Sequence, residues 1–285
     1  AMLMSLVAII IFYAIGRTLH VDRLALVVGM LLLSALPPFL SYSIRGYADT
    51  TFIAVLLGAI LTLLRARTAN GAAGFGFLLG ALALTRYEGV LAGGILFALA
   101  LIRWRRALPK ILMTIGVLLV TILPYVFLAR HVGRSLLPQT YLEEAGSSGY
   151  GASSLSEFRE RSHTLLRRLG VFGIWGIPQS IGRALQTDPL GAHREVVAPL
   201  KEPRTVTALL AIPGWLLLFL RRRRLDTFTI LLPFVGIGAA VAWYATYVRY
   251  DAFLFPPMAF AAAAGVHSGI RACRRATLPD GWGRR

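Results

Sequence analysis

Thr85-Arg86-Tyr87-Glu88-Gly89 (TRYEG) interrupts an otherwise apolar run, AAGFGFLLGALAL at 72–84 and VLAGGILFALALI at 90–102. A bilayer core is about 30 Å thick and takes about 20 helical residues to cross. The run is too long for one ordinary span, and each half falls short of one. Either a tilted helix buries Arg86 and Glu88 in hydrocarbon, at about 2.5–3.5 kcal/mol each, or the run is a helical hairpin whose tight turn sets both charges at one membrane face. The flanks separate these readings. Arg65 and Arg67 precede the run, and Arg103, Arg105, Arg106 and Lys110 follow it. Short loops rich in Lys and Arg stay inside. A single span would put these two basic loops on opposite sides, whereas a hairpin puts both inside. The expectation is therefore a hairpin with Arg86 and Glu88 at the outer face, near headgroup depth.

The same rule organises the rest of the chain. Its 285 residues are 56% hydrophobic, with a mean hydropathy of +0.67. That composition describes a membrane protein rather than a water-soluble domain. The net charge of +17 is segregated by loop. The stretches at 17–23, 65–67, 103–110, 221–226 and 271–285 hold about seventeen Lys and Arg against three acids. The loop at 130–203 holds about nine against seven. Nucleic-acid binding would need a basic face on a soluble fold. A charge surplus sorted this way is a topology signal instead, assisted by anionic lipid, and no nucleic-acid partner is expected.

Apolar segments at 2–15, 24–40, 50–64, the two hairpin halves, 111–129, 205–220, 227–247 and 252–270 then read as about nine spans. The N-terminus lies outside and the C-terminus inside. Pro37-Pro38 stops the second segment, and Pro124 marks a kink. The expected class is an all-α, polytopic transmembrane bundle of the inner (plasma) membrane. Its divisions are N-terminal helices at 1–129, an outer (periplasmic) loop at 130–203, and C-terminal helices with a basic tail at 204–285. The ten apolar residues at 169–178 are too few to span. Residues 155–185 read as an amphipathic helix on the outer leaflet, with Phe158, Leu165, Leu166, Leu169, Phe172 and Trp175 toward lipid, or else as a soluble loop helix packed on the outer mouth. The single cysteine, Cys273, forms no disulfide within the chain. No internal repeat is visible, and no ionisable residue falls mid-span, which disfavours a transporter.

Polar residues gather instead at the outward ends of the spans. Arg45, Tyr47 and Asp49 lie in the second outer loop, SYSIRGYAD. Arg86, Tyr87 and Glu88 lie in the hairpin turn. Arg130, His131 and Arg134 follow, and Arg249, Tyr250 and Asp251 lie in the last outer turn. Arg binds phosphate bidentately, and a carboxylate takes a proton from a hydroxyl or holds a divalent cation. Asp49 and Glu88 are the candidate catalytic acids. Arg45, Tyr47, Arg86, Tyr87, Arg249 and Tyr250 are the candidate substrate-binding groups. Each has a plainer reading. Asp49 suits a helix N-cap, Arg86 and Glu88 suit an interfacial salt bridge, and Arg249 suits a snorkelling anchor. His131 and His163 are too isolated for a metal site, and no residues have ligand spacing.

Four stretches in order resemble the C-type (GT-C) membrane glycosyltransferases, including mannosyltransferase-like and aminoarabinose-transferase-like members. They are SALPPFLSYSIRGYADTTFIAVLLGAILTLL at 34–64, GFLLGALALTRYEGVL at 76–91, LLPQTYLEEAG at 136–146 and YVRYDAFLFPPMAF at 247–260. Tyr87 stands where that family has Pro, and Gln139 where it has Asn. The resemblance implies transfer of a sugar from a polyprenyl- or dolichyl-phosphate carrier to a glycan, lipid or protein acceptor at the outer face, with a divalent cation in some members. It implies that Arg86 and Arg249 steady phosphate, that Glu88 orients Arg86 or contacts the acceptor, and that Asp49 helps bind metal or acceptor. Such enzymes carry their base in a first outer loop after one further span. The expectation is that this stretch precedes residue 1 and that the chain as given is inactive. A lipid transporter or flippase and a non-catalytic scaffold are the rival functions.

Overall fold

A computed structural model of the chain describes residues 1–36, 39, 48–132, 154–168, 203–220, 224–244 and 254–277. Among them the secondary structure is helical, with no strand. The all-α class stands. The helices are α1 (Met2–Thr18), α2 (Arg23–Ala35), α3 (Ala48–Arg65), α4 (Ala69–Thr85), α5 (Tyr87–Arg103), α6 (Leu108–His131), α7 (Leu155–Arg168), α8 (Pro203–Leu220), α9 (Arg224–Tyr244) and α10 (Phe255–Thr277). Each expected apolar segment coincides with one helix to within a few residues at its described ends.

The turns are built from local chemistry. Asp22 caps α2 by accepting from the Leu24 amide at 2.9 Å, and Thr68 caps α4 by accepting from the Gly71 amide at 3.3 Å. Arg86 is extended, with φ −159° and ψ 153°, and ends α4 as it begins α5. The hairpin reading of 72–102 holds. Gly89 lies against the Leu82 carbonyl and Gly93 against Leu79, so the two halves run antiparallel in contact. A β-carbon at 89 would strike that carbonyl, which is why the turn ends in glycine.

Contacts set the direction of the other helices. Arg65 at the end of α3 donates to Thr18 Oγ1 at the end of α1 at 2.9 Å, so these two are parallel. Gly74 faces Thr62, making α3 and α4 antiparallel. Thr114 donates to the Ala72 carbonyl at 3.1 Å and Gly80 faces Thr121, making α4 and α6 parallel. Asp226 meets Arg103 and Gly236 meets Ile95, so α5 and α9 are antiparallel. Gly214 and Gly265 bring α8 and α10 into backbone contact. The Arg204 guanidinium lies over the Phe255 ring at 6.0 Å, which makes that pair parallel. The bundle thus alternates up and down. Its core is a continuous apolar cluster around Phe12, Phe52, Phe75, Phe234 and Phe255.

Two ends follow from this alternation. The turns carrying Arg17, Arg65, Arg67, Arg103, Arg105, Arg106 and Lys110, with the start of α9 and the end of α10, share one end, here the basic end. The starts of α3 and α5 and the ends of α4 and α6 share the other, the acidic end. Between them the outer faces are apolar. Leu3 is 71% exposed, Val120 69% and Leu216 62%.

About nine spans are not supported by helix length. Leu108–His131, at 24 residues, is the one helix among the described residues long and apolar enough to cross a membrane. Helices α1, α2, α4 and α5 are 17 residues or fewer, at most about 25 Å at 1.5 Å per residue. Pro124 lies inside α6. The surface-helix reading of 155–185 is also corrected over its described part. Phe158, Leu165 and Leu166 share one face of α7, and that face lines a groove over α8–α10 rather than turning wholly to the outside. Leu169, Phe172 and Trp175 lie outside the described residues.

Candidate functional site

Three charged side chains from two distant stretches meet at the acidic end. Asp49 sits in the first turn of α3, Glu88 in the first turn of α5, and Arg86 between α4 and α5. Arg86 Nε donates to Glu88 Oε2 at 3.1 Å and Nη2 to Glu88 Oε1 at 3.0 Å, a side-on bidentate pair. Its Nη1 pairs with Asp49 Oδ1. The Glu88 side chain is fully buried, Asp49 is 2% exposed and Arg86 14%. Carboxylates prefer helix N-termini, where amide dipoles point at them, and both acids occupy one. Asp49 is therefore not the N-cap of its helix but a buried member of an ion cluster. The pair Arg86–Glu88 is likewise not a surface bridge.

The arrangement changes what Arg86 can do. Its guanidinium spans two carboxylates, so it positions them rather than standing open to a phosphate. With both acids ionised the cluster carries a formal charge of −1, which favours a neutral or cationic neighbour, or a hydroxyl that gives up a proton. Glu88 is clamped through both oxygens. Asp49 meets Arg86 through Oδ1.

Among the described residues no group of three or more His, Cys, Asp and Glu could hold a metal ion. The two carboxylates present are already bridged by a guanidinium, so they do not fit a divalent cation. Of the other candidates, Arg45, Tyr47, Arg249, Tyr250, Arg134 and Asp251 lie outside the described residues. So does the side chain of Tyr87, although its backbone begins α5. Arg130 and His131 are exposed at the same end, on the last turn of α6.

Two features were not anticipated from sequence. One is a groove of about 440 Å³ between α7, α8, α9 and α10, lined by Phe158, Leu165, Ala211, Trp215, Phe234 and Met258 among others. Its walls are apolar except for Ser162, and it lies in the acidic-end half of the bundle. The periodicity of α7 signals an apolar face but not what that face covers. The other is the ion pair of Arg103 Nη1 with Asp226 Oδ1 at 2.6 Å, which ties α5 to α9 at the basic end. Nothing local links residues so far apart in the chain. Comparison with protein-family models, characterised proteins and solved structures finds no match.

Proposed function

We propose that the chain is a multi-pass membrane protein that moves a glycosyl group from a polyprenyl-phosphate carrier to a cell-envelope acceptor at its acidic, outward end. The membrane reading is supported by the large apolar side chains exposed along α1, α6 and α8. Exposed apolar surface on that scale needs a covering of lipid or partner. Orientation is supported by the collection of short basic turns at one end. Helices shorter than the bilayer core are accommodated by local thinning and by snorkelling side chains, at fractions of a kcal/mol per Å.

The observation that carries the functional reading is the buried Asp49–Arg86–Glu88 cluster at the end opposite the basic turns. Burying charges is costly even when they are paired, which supports a functional role for the cluster. In the proposed reaction a carboxylate takes the proton of an acceptor hydroxyl. The acceptor oxygen then bonds to the anomeric carbon, and the carbon–oxygen bond to the carrier phosphate breaks, leaving the phosphate with the electron pair. We assign the proton-accepting role to Asp49, held by Arg86 with Glu88, in place of the base that the resemblance sets in a first outer loop. The apolar groove in the same half of the bundle is of a size that takes part of a lipid chain. The groove alone also suits a lipid flippase, the second reading.

A transfer assay separates the two. Membranes containing the full-length native protein are supplied with radiolabelled polyprenyl-phosphate sugar. Labelled acceptor is expected, with Asp49→Asn lowering its rate by roughly 10²–10⁴-fold, the usual contribution of a general base. Movement of the lipid across the bilayer with no labelled product would favour the flippase.

A further inference from the structure

At the basic end two turns, 65–68 between α3 and α4 and 104–107 between α5 and α6, are held side by side. Arg103 Nη2 donates to the Leu64 carbonyl at 3.3 Å, joining them directly. Trp104 is buried and meets Phe75 of α4 edge-on, at 5.6 Å and 86°. Lys110 Nζ covers the other ring environment, 6.0 Å from the Trp104 centroid. The cations on these turns divide into two groups. Arg65 is bound to Thr18 Oγ1 and the Ala14 carbonyl, and Arg103 to Asp226. Arg67, Arg105 and Arg106 are exposed, and among the described residues no carboxylate lies within ion-pair distance of them. Neither turn contains an acid, nor does any position from 89 to 142.

We propose that this pair of turns binds the phosphodiester headgroup of an anionic membrane phospholipid. Three exposed guanidinium groups on two adjoining turns supply the charge and the planar donor sets that phosphate takes. The starts of α4 and α6 lie parallel beneath them and add the positive ends of two helix dipoles. The helix ends that flank the second turn are apolar at their surface: Ile102 is 59% exposed, Leu108 63% and Leu112 58%. A soluble anion would leave that strip bare, whereas a phospholipid covers it with its acyl chains while its phosphate meets the arginines. The proposal rests on the membrane reading above, but not on glycosyl transfer.

The test uses the purified full chain reconstituted into vesicles of equal parts phosphatidylglycerol and phosphatidylcholine, re-extracted in detergent, with retained lipid measured by mass spectrometry. Phosphatidylglycerol is expected to be enriched. Each cation near a membrane surface contributes about fivefold in affinity. The triple change Arg67→Gln, Arg105→Gln, Arg106→Gln should therefore weaken retention on the order of a hundredfold. Arg17→Gln with Arg23→Gln, at the neighbouring α1–α2 turn of the same end, should weaken it clearly less. Absence of enrichment, equal loss from both sets of changes, or displacement of the lipid by inorganic phosphate would each overturn this proposal alone. A chain that does not enter vesicles at all would overturn the membrane reading along with it.

Discussion

One guanidinium between two buried carboxylates makes Arg86 the side chain whose loss costs most. Arg86→Ala would leave Asp49 and Glu88 buried and alike in charge, without the guanidinium between them. Breaking a buried ion pair from one side costs about 3–5 kcal/mol, and unfolding in detergent should report a loss of that order. Arg86→Lys keeps the charge but cannot reproduce the bidentate grip on Glu88 while reaching Asp49, so a smaller loss is expected. Asp49→Asn removes one of two negative charges and leaves Arg86 paired with Glu88. Its stability should fall less than that of Arg86→Ala, and its effect should appear in transfer activity instead. TRYEG was visible in sequence because polar residues broke an apolar run. The partnership with Asp49 was not, since the two arginine contacts come from residues 2 and 37 positions away. The nearer one follows from spacing. The farther one requires knowing that α3 and α4 are antiparallel neighbours.

Helices in this bundle meet through glycine as much as through large side chains. A β-carbon at Gly214 would collide with the Ala261 carbonyl, and one at Gly265 would lie 2.7 Å from the Leu210 carbonyl. Backbone cannot yield as a flexible side chain does. Gly214→Ala should cost about 1–3 kcal/mol by forcing α8 from α10. Gly94 and Gly116 have no atom within 4 Å of such a carbon. Gly94→Ala and Gly116→Ala should instead gain about 0.5–1 kcal/mol through helix propensity. Thermal unfolding of the three variants in one detergent checks the contrast. Helix positions were legible because apolar runs, Arg-rich turns and caps such as Asp22 and Thr68 are local signals. Helix lengths were legible only in part: α2 ends at Ala35, short of an apolar segment that reads on to 40, whereas α1 runs past 15 to Thr18 and α10 past 270 to Thr277. The α8–α10 contact was hidden for a different reason. Glycines in an apolar run look alike, and only packing distinguishes Gly214 from Gly116.

Across the whole molecule the account depends on polarity between two ends. All described short turns rich in arginine fall at one end, and the buried Asp49–Arg86–Glu88 cluster falls at the other. That separation was readable from the charge pattern alone, because it needs only the order of apolar and basic segments. The groove under α7 needed the three-dimensional packing of four helices, and no pattern in the chain announces it. Sidedness is the most direct test. In a Cys273→Ser background, His131→Cys marks the acidic end and Arg106→Cys the basic end, both at exposed positions. A membrane-impermeant thiol reagent applied to intact cells should label position 131 at once and position 106 only after permeabilisation. Labelling of 106 from outside, or of both positions equally, would contradict the placement of the carboxylate cluster at the outer face.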